Sequence, residues 1–263
     1  MFVAALLPPP QLAQLKRALG PDHRVETAAD WKSLYKLLRE GLFDLSIVDP
    51  ALNGSMELSS VETLLSYFPS TPVAVYTRLS PAGARAVTRL SQSGVVEIVL
   101  SPYDDSETRL RGVVERVGGD PLAREMIGRI SPSLRMLDLE LSRAVTQLFR
   151  EPTHFQSALD LAAATRLSRR SLYRQCESAG LASPRMLVLG ARLLRGYALL
   201  RNPGHSLESI AKTLRFRSQR AFSERMREVV GELANSVRRR VPQEEFLDRL
   251  ERRLRPGGRY DVN

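Results

Sequence analysis

The chain has 263 residues, 43% of them hydrophobic, with 16 Gly and 16 Pro, which is enough for two cores and gives no sign of wholesale disorder or a collagen-like repeat. Its longest uncharged apolar run, Phe2 to Pro10, is far short of the roughly 20 residues a membrane helix needs, and no basic flank makes it a secretion signal; a cytoplasmic protein without membrane contact is expected. The single Cys176 and the scattered His23, His154 and His205 exclude an internal disulfide and show no ligand spacing, so no metal or other cofactor is expected. The net charge of +10 is unevenly shared: residues 1–120 hold 12 Lys+Arg against 14 Asp+Glu, and residues 121–263 hold 27 against 15. In the basic half Lys212 is the only lysine; the planar fork of arginine suits phosphate oxygens and guanine edges.

In chain order, Phe2–Leu7 reads as a buried strand, Gln11–Leu19 as a helix with Leu12, Leu15 and Leu19 at helical spacing, and His23–Thr27 as a weak strand. Asp30 is placed to cap a helix carrying Trp31, Leu34, Leu37 and Leu38, which Gly41 ends. A strand follows over Phe43–Val48, closed by Asp49-Pro50. Then come a helix at Ser60–Phe68, a strand after Pro72, a helix at Ala82–Ser91, a turn at Gly94, a fifth strand ending at Ser101-Pro102 and a helix at Asp105–Val117. Five strands alternating with five helices predict an α/β domain over 1–118, an open five-stranded parallel sheet with helices on both faces. Residues 119–132, with Gly119, Pro121 and Gly128, read as a linker, and Ser131-Pro132 as the start of a helix. That helix carries Leu134, Leu137, Leu141, Val145 and Leu148, a stripe fit for a dimer seam or, the favoured reading, for packing inside its own domain.

Everything further on reads as helix: Phe155–Ala164, Ser168–Ser178, Pro184–Leu200, Leu207–Leu214, Ser218–Val230, Glu232–Arg240 and Glu244–Leu254. Residues 133–241 are expected to form an all-α double helix-turn-helix domain, and 242–263 a C-terminal helix with a loose Gly257-Gly258 tail. Two stretches share one grammar. In the first, a short helix with Leu159, Leu161 and Ala162 meets a turn at Thr165–Leu167, then a helix projecting Arg169, Arg170, Tyr173 and Arg174. In the second, Ile210, Ala211 and Leu214 precede a helix exposing Arg217, Gln219, Arg220, Ser223 and Glu224, with Phe222 and Met226 turned inward. A major groove about 12 Å wide admits one helix, and Arg or Gln on its leading turns can fork onto a base edge. The helix Pro184–Leu200 spans roughly 25 Å at 1.5 Å per residue and reads as a spacer that sets both projecting helices in adjacent grooves of double-stranded DNA, about 34 Å apart.

The motifs SRRSLYR, Gly180 to Pro184, RLLRGYALL, SIAKTLRF and SQRAFSERM resemble the DNA-binding domain of the AraC/XylS family over about 134–240. The resemblance implies that Arg170, Tyr173 and Arg174 read base edges in the first unit, and Gln219, Arg220, Ser223 and Glu224 in the second, with Ser168 and Ser218 capping the two recognition helices. Arg215 stands where that family usually has Gly, Cys176 and Met226 replace Phe plugs, Ala234 replaces Pro, and Glu224 stands where a base is common. The first unit is therefore expected to bind strongly and the second to contribute less.

Residues 1–118 resemble a response-regulator receiver domain through FDLSIVDPALNG, TPVAVYTR and GVVEIVLSPYD. The resemblance puts Asp49 at the phosphoacceptor position, Thr77 at the customary hydroxyl and Pro102 at the customary proline. The acidic pair that holds Mg²⁺ in a working receiver is replaced by Leu7, Pro8, Pro9 and Pro10, and the usual lysine by Ser101. A pseudo-receiver follows, with Asp49 inactive and the domain serving contact: a homodimer through Arg85, Arg89, Glu97, Asp104, Asp105, Glu107, Arg109 and Arg111, or docking of a partner. The expected function is a sequence-specific transcriptional regulator, with RNA polymerase a candidate partner and no enzymatic activity. The alternative is a structural or partner-binding protein whose helix-turn-helix has drifted from specific recognition.

Overall fold

The computed structural model describes residues 1–52, 54–80 and 88–255. The chain divides into two compact units, one of Met1–Asp120 with Asn202–Gly204, the other of Pro121–Arg201 with His205 onward.

The first unit contains β1 (Phe2–Leu6), α1 (Pro9–Leu19), β2 (Arg24–Thr27), α2 (Trp31–Glu40), β3 (Leu45–Val48), α3 (Leu58–Tyr67), β4 (Val73–Arg78), β5 (Glu97–Ser101) and α4 (Glu107–Val117). Residues 88–92 are also helical, and the rest of the helix expected at Ala82–Ser91 lies outside the described residues. The strands form one sheet in the order β2-β1-β3-β4-β5, every pair parallel. Side chains alternate across it with the period of two that a pleated strand imposes. Val3 and Ala5 join Ile47, Ala74, Tyr76 and Val99 under α1 and α4. Ala4 and Leu6 join Val48, Val73 and Val75 under α2 and α3. The sheet buried on both faces is what the near-continuous apolar strands require.

Several boundaries moved for local reasons. The first helix starts at Pro9, because proline lacks only an N–H that the first turn leaves unpaired anyway. Asp30 caps α2 in a reciprocal box with Ser33, whose N–H donates to the Asp30 carboxylate at 2.7 Å. Helix α4 starts at Glu107 and not at Asp105, because Ser106 caps it. Asp105 is buried and accepts the Tyr76 hydroxyl at 2.8 Å.

The second unit is wholly helical among its described residues: α5 (Pro121–Leu134), α6 (Leu139–Arg150), α7 (Ala158–Thr165), α8 (Arg169–Ser178), α9 (Pro184–Leu200), α10 (Leu207–Thr213), α11 (Gln219–Val230), α12 (Ala234–Arg240) and α13 (Gln243–Leu254). The expected linker at 119–132 is mostly α5, which continues through Pro132. Leu122, Met126, Ile130 and Leu134 recur every four residues and are all buried, so the apolar stripe prevailed over the Gly and Pro signals. The helix expected from Ser131 begins instead at Leu139, after Asp138, whose carboxylate accepts the Leu141 N–H at 2.8 Å. Leu134, Leu137, Leu141, Val145 and Leu148 are buried within this unit, as packing inside one domain requires.

Helix α9 is the axis of the bundle; most of its residues are buried, and it touches α7, α8, α10, α11, α12 and α13. The C-terminal helix is part of this core rather than an appendage. Phe246, Leu247, Leu250 and Leu254 are fully buried, and Phe246 stacks on Tyr197 with ring centroids 4.1 Å apart. At Gly190 a Cβ would lie 2.8 Å from Leu254, so glycine is what lets α13 approach α9 so closely. The same helix is tied to α5 by Arg129, which meets Glu125, Glu244, Asp248 and Glu251.

Candidate nucleic-acid interface

The two helix–turn–helix units are built by equivalent devices. Ser157 and Ser206 cap their first helices, accepting N–H groups of Asp160 and Ser209. Ser168 and Ser218 cap the second helices, accepting from Ser171 and Ala221 at 3.1 Å each. Both turns close with a bond back across the helix end, Leu167 N–H to the Ala162 carbonyl (3.1 Å) and Phe216 N–H to the Ala211 carbonyl (2.8 Å). Both place an arginine in the left-handed region, Arg166 at φ 54° and Arg215 at φ 57°. The side chain that α8 and α11 each bury first is Leu172 or Phe222, followed one turn later by Cys176 or Met226. A Cβ on Gly196 would lie 2.7 Å from Phe222, so this glycine makes room for the plug of the second unit. Burial pushes the Cys176 thiol up to about 11, so it is a packing group and not a nucleophile.

Arg192, in α9, holds the second turn. Its guanidinium donates to the Leu214 carbonyl, at 3.0 Å from Nε, and lies over the Phe216 ring, 4.2 Å from the centroid. Burial lowers its pKa, and the charge of Arg215 lowers it further. Arg238 does similar work at the end of α9, donating to the carbonyls of Leu200 (3.1 Å) and His205 (2.7 Å). Both are structural arginines, a role that basic composition alone does not separate from ligand contact.

With the plugs facing in, the opposite faces of α8 and α11 are open to solvent. Arg169, Arg170 and Arg174 are exposed, and Arg169 lies over the half-buried Tyr173 ring at 5.7 Å. Arg217, Gln219 and Arg220 are exposed in the second unit. Two expected readers there are engaged within the protein. The Ser223 hydroxyl accepts the Ala234 N–H at 3.1 Å, joining α11 to the first turn of α12. Glu224 accepts Arg220 Nε at 2.8 Å, one turn away along the helix. The Arg220 hydrogen bond and charge hold the Glu224 carboxyl below its ordinary range.

Sequence reading left Arg166 unremarked, because nothing in its neighbours announces a positive φ. An arginine in that region costs roughly 1 kcal/mol relative to glycine, and both units carry one.

In the α/β unit, Asp49 directly follows β3. It is only 4% exposed, and its carboxylate accepts the Ala51 N–H at 2.9 Å, which is the local cap of a turn. Thr77 is fully buried. Where a working receiver has its acidic pair, Leu7 is buried and Pro8 opens α1. No group of three or more potential metal ligands occurs among the described residues. The charges expected to meet a second copy are engaged internally. Glu97 pairs with Arg109 (3.0 Å) and with Arg116; Asp104 pairs with Arg109, Glu107 with Arg17 and Arg89 with Glu62. Arg111 donates to the Ala18 carbonyl at 2.9 Å. Arg85 lies outside the described residues.

Residues 161–240 match the family model described as a helix-turn-helix domain. The first fold to which the chain is similar is that of NtrX from Brucella abortus in complex with ADP, at 17% identity and a TM-score of 0.39, covering 65% of this chain and 42% of that one. Full-length FixJ from B. japonicum is similar at 12% identity and a TM-score of 0.35, covering 86% and 95%. The response regulator StyR is similar at 15% and 0.33, covering 86% and 98%. The chain thus spans under half of the NtrX chain. No curated protein matched by sequence.

These findings correct the expected AraC/XylS membership. The matching model is described as a helix-turn-helix domain, and the solved structures are NtrX, FixJ and the response regulator StyR. The motifs quoted for that resemblance are caps, plugs, turns and central-helix positions that packing two helix–turn–helix units requires. The architecture is a receiver-like five-stranded parallel α/β unit followed by an all-α bundle containing a helix-turn-helix. None of the helices among the described residues is long and apolar enough to cross a membrane.

Proposed function

We propose that the chain is a sequence-specific regulator that binds double-stranded DNA through residues 133–241, with 1–118 acting as a pseudo-receiver that works by contact and not by phosphorylation. The observation that carries this reading is the repetition of one scaffold with an exposed arginine on each leading turn, Arg170 in α8 and Arg220 in α11. A helix of this kind fits a major groove, and its leading side chains reach base edges. The 17-residue α9 between the units supports a spacing near one helical turn of DNA.

The first unit carries most of the discrimination in this reading. Arg170 and Arg174 stand one turn apart, both exposed, each able to fork onto a guanine. In the second unit Glu224 competes for Arg220, and Ser223 is committed to α12. Contact by the first domain falls to its exposed apolar groups, Leu79, Val96 and Tyr103, since the charges beside them are engaged within the chain. Asp49, closed over by its own turn, suits an input that needs no phosphoryl transfer.

The test is binding of the full chain to promoter fragments and scrambled duplexes across a range of salt. Affinity should fall along a straight line in log salt, with a slope of about −0.9 per neutralised phosphate, and the promoter fragment should be preferred throughout. Equal affinity for all duplexes at every salt concentration would leave only the drifted, non-specific alternative.

A further inference from the structure

Both turns contain a residue in a backbone conformation that glycine occupies readily and a branched or long side chain does not. Arg166 and Arg215 are the only non-glycine residues with positive φ among those described. Each stands shortly before the serine that caps a recognition helix, Ser168 or Ser218. Both side chains are exposed. Neither guanidinium enters a hydrogen bond or ion pair among the described residues, so no contact within the protein offsets the backbone cost. Arg215 bears a second disadvantage: it stands close enough to the half-buried Arg192 for the two like charges to repel. An unfavourable φ, an exposed cation and a shared place one residue before the backbone bond that closes each turn together suggest a role outside the folded chain.

We infer that Arg166 and Arg215 are paired contacts to the DNA phosphate backbone, one at the entry of each recognition helix, seating the helices without reading sequence. The inference rests on the DNA-binding reading above and adds residues to it. Each arginine is exposed and lies two or three residues before the cap of its recognition helix, beside the helix end that would enter the groove and meet the sugar–phosphate edge. A phosphate there supplies the partner that each guanidinium lacks and screens Arg215 from Arg192. Phosphate contacts fix register and orientation and carry no base information, which agrees with one residue type at both positions while the base-facing residues of the units differ.

The experiment is fluorescence anisotropy of the full chain on a preferred and a scrambled duplex over a salt series, with thermal melting of each variant. Arg166→Gly and Arg215→Gly should melt at the wild-type temperature or above it. Each should flatten the log–log salt slope by about 0.9 and weaken binding roughly eightfold at 0.1 M salt, equally on both duplexes. Arg166→Gln and Arg215→Gln, which drop the charge and keep the backbone demand, should show the same loss of binding, and the two lysine variants should restore the slope. Wild-type slope and affinity in both glycine variants would overturn the inference and leave DNA binding intact, as would a loss confined to the preferred duplex. A wild-type chain that shows no salt-dependent binding would overturn both readings.

Discussion

The two helix–turn–helix units share a skeleton and differ in what they offer to a ligand. Caps, turn bonds and buried plugs recur in the same order, with the second turn one residue longer, and each turn carries an arginine with positive φ. On the open faces, the first unit has Arg170 and Arg174 free in solvent, and the second has Arg220 held by Glu224 and Ser223 spent on α12. The lesson is that the inward face and the turn specify this scaffold, and the outward face can change its chemistry without disturbing them. One unit can therefore keep a strong recognition surface while its counterpart acquires a muted one.

The comparison is most severely tested through the plugs. Phe222→Ala, measured by urea unfolding, should cost about 3–5 kcal/mol, and Leu172→Ala about 2–5, because each leaves a cavity in a packed core. A cost below 1 kcal/mol at either position would mean that the two units are not built alike. Next come the readers. Arg170→Ala and Arg174→Ala should each remove roughly 1–3 kcal/mol of discrimination between the preferred duplex and single-base variants of it. Arg220→Ala should remove less than either, and an equal loss would erase the asymmetry proposed here. The caps should restore the symmetry: Ser168→Ala and Ser218→Ala should each lower stability by about 1 kcal/mol, and a large imbalance between them would count against equivalent scaffolds.

The smallest effect is expected at Glu224. Glu224→Gln frees Arg220, so binding should tighten on every duplex and the salt slope should steepen by less than one phosphate's worth. The sign with pH follows from the Arg220 partner, which holds the Glu224 carboxyl below its usual range. The ion pair is fully present above the unfolded carboxyl pKa and is lost as pH falls through the depressed folded value. The difference between wild type and variant should therefore be constant at neutral pH and close only under acid. A difference that opens or closes near pH 7 would point to another group.

Much of this was legible in order of appearance. The alternation of strands and helices in the first 118 residues was enough for a parallel sheet, because apolar strands too short to span a bundle must be covered on both faces. The helical units showed themselves through short apolar helices, each followed after a turn by a helix that carries arginines on its leading turns. Where reading failed, two local signals competed. Gly119, Pro121 and Gly128 suggested a linker, yet Leu122, Met126, Ile130 and Leu134 buried themselves and drew the segment into α5. The family name failed for a related reason: the motifs that prompted it are also demands of packing two helix-turn-helix units.

By itself the sequence determined where most strands and helices lie, since caps and apolar period act over a few residues and need no distant partner. It also determined the imbalance of charge between the halves of the chain. Only the tertiary structure decided which arginines are free. Arg129, Arg192 and Arg238 look no different in sequence from Arg170 and Arg174, yet the first three are tied to carboxylates or carbonyls of other helices. The structure alone also decided that Asp49 is shut in by its own turn, that α13 completes the helical core, and that Arg166 and Arg215 bear a left-handed backbone. Which arginines are free and where α13 packs depend on which distant segments meet, and that is settled by the burial of many side chains at once.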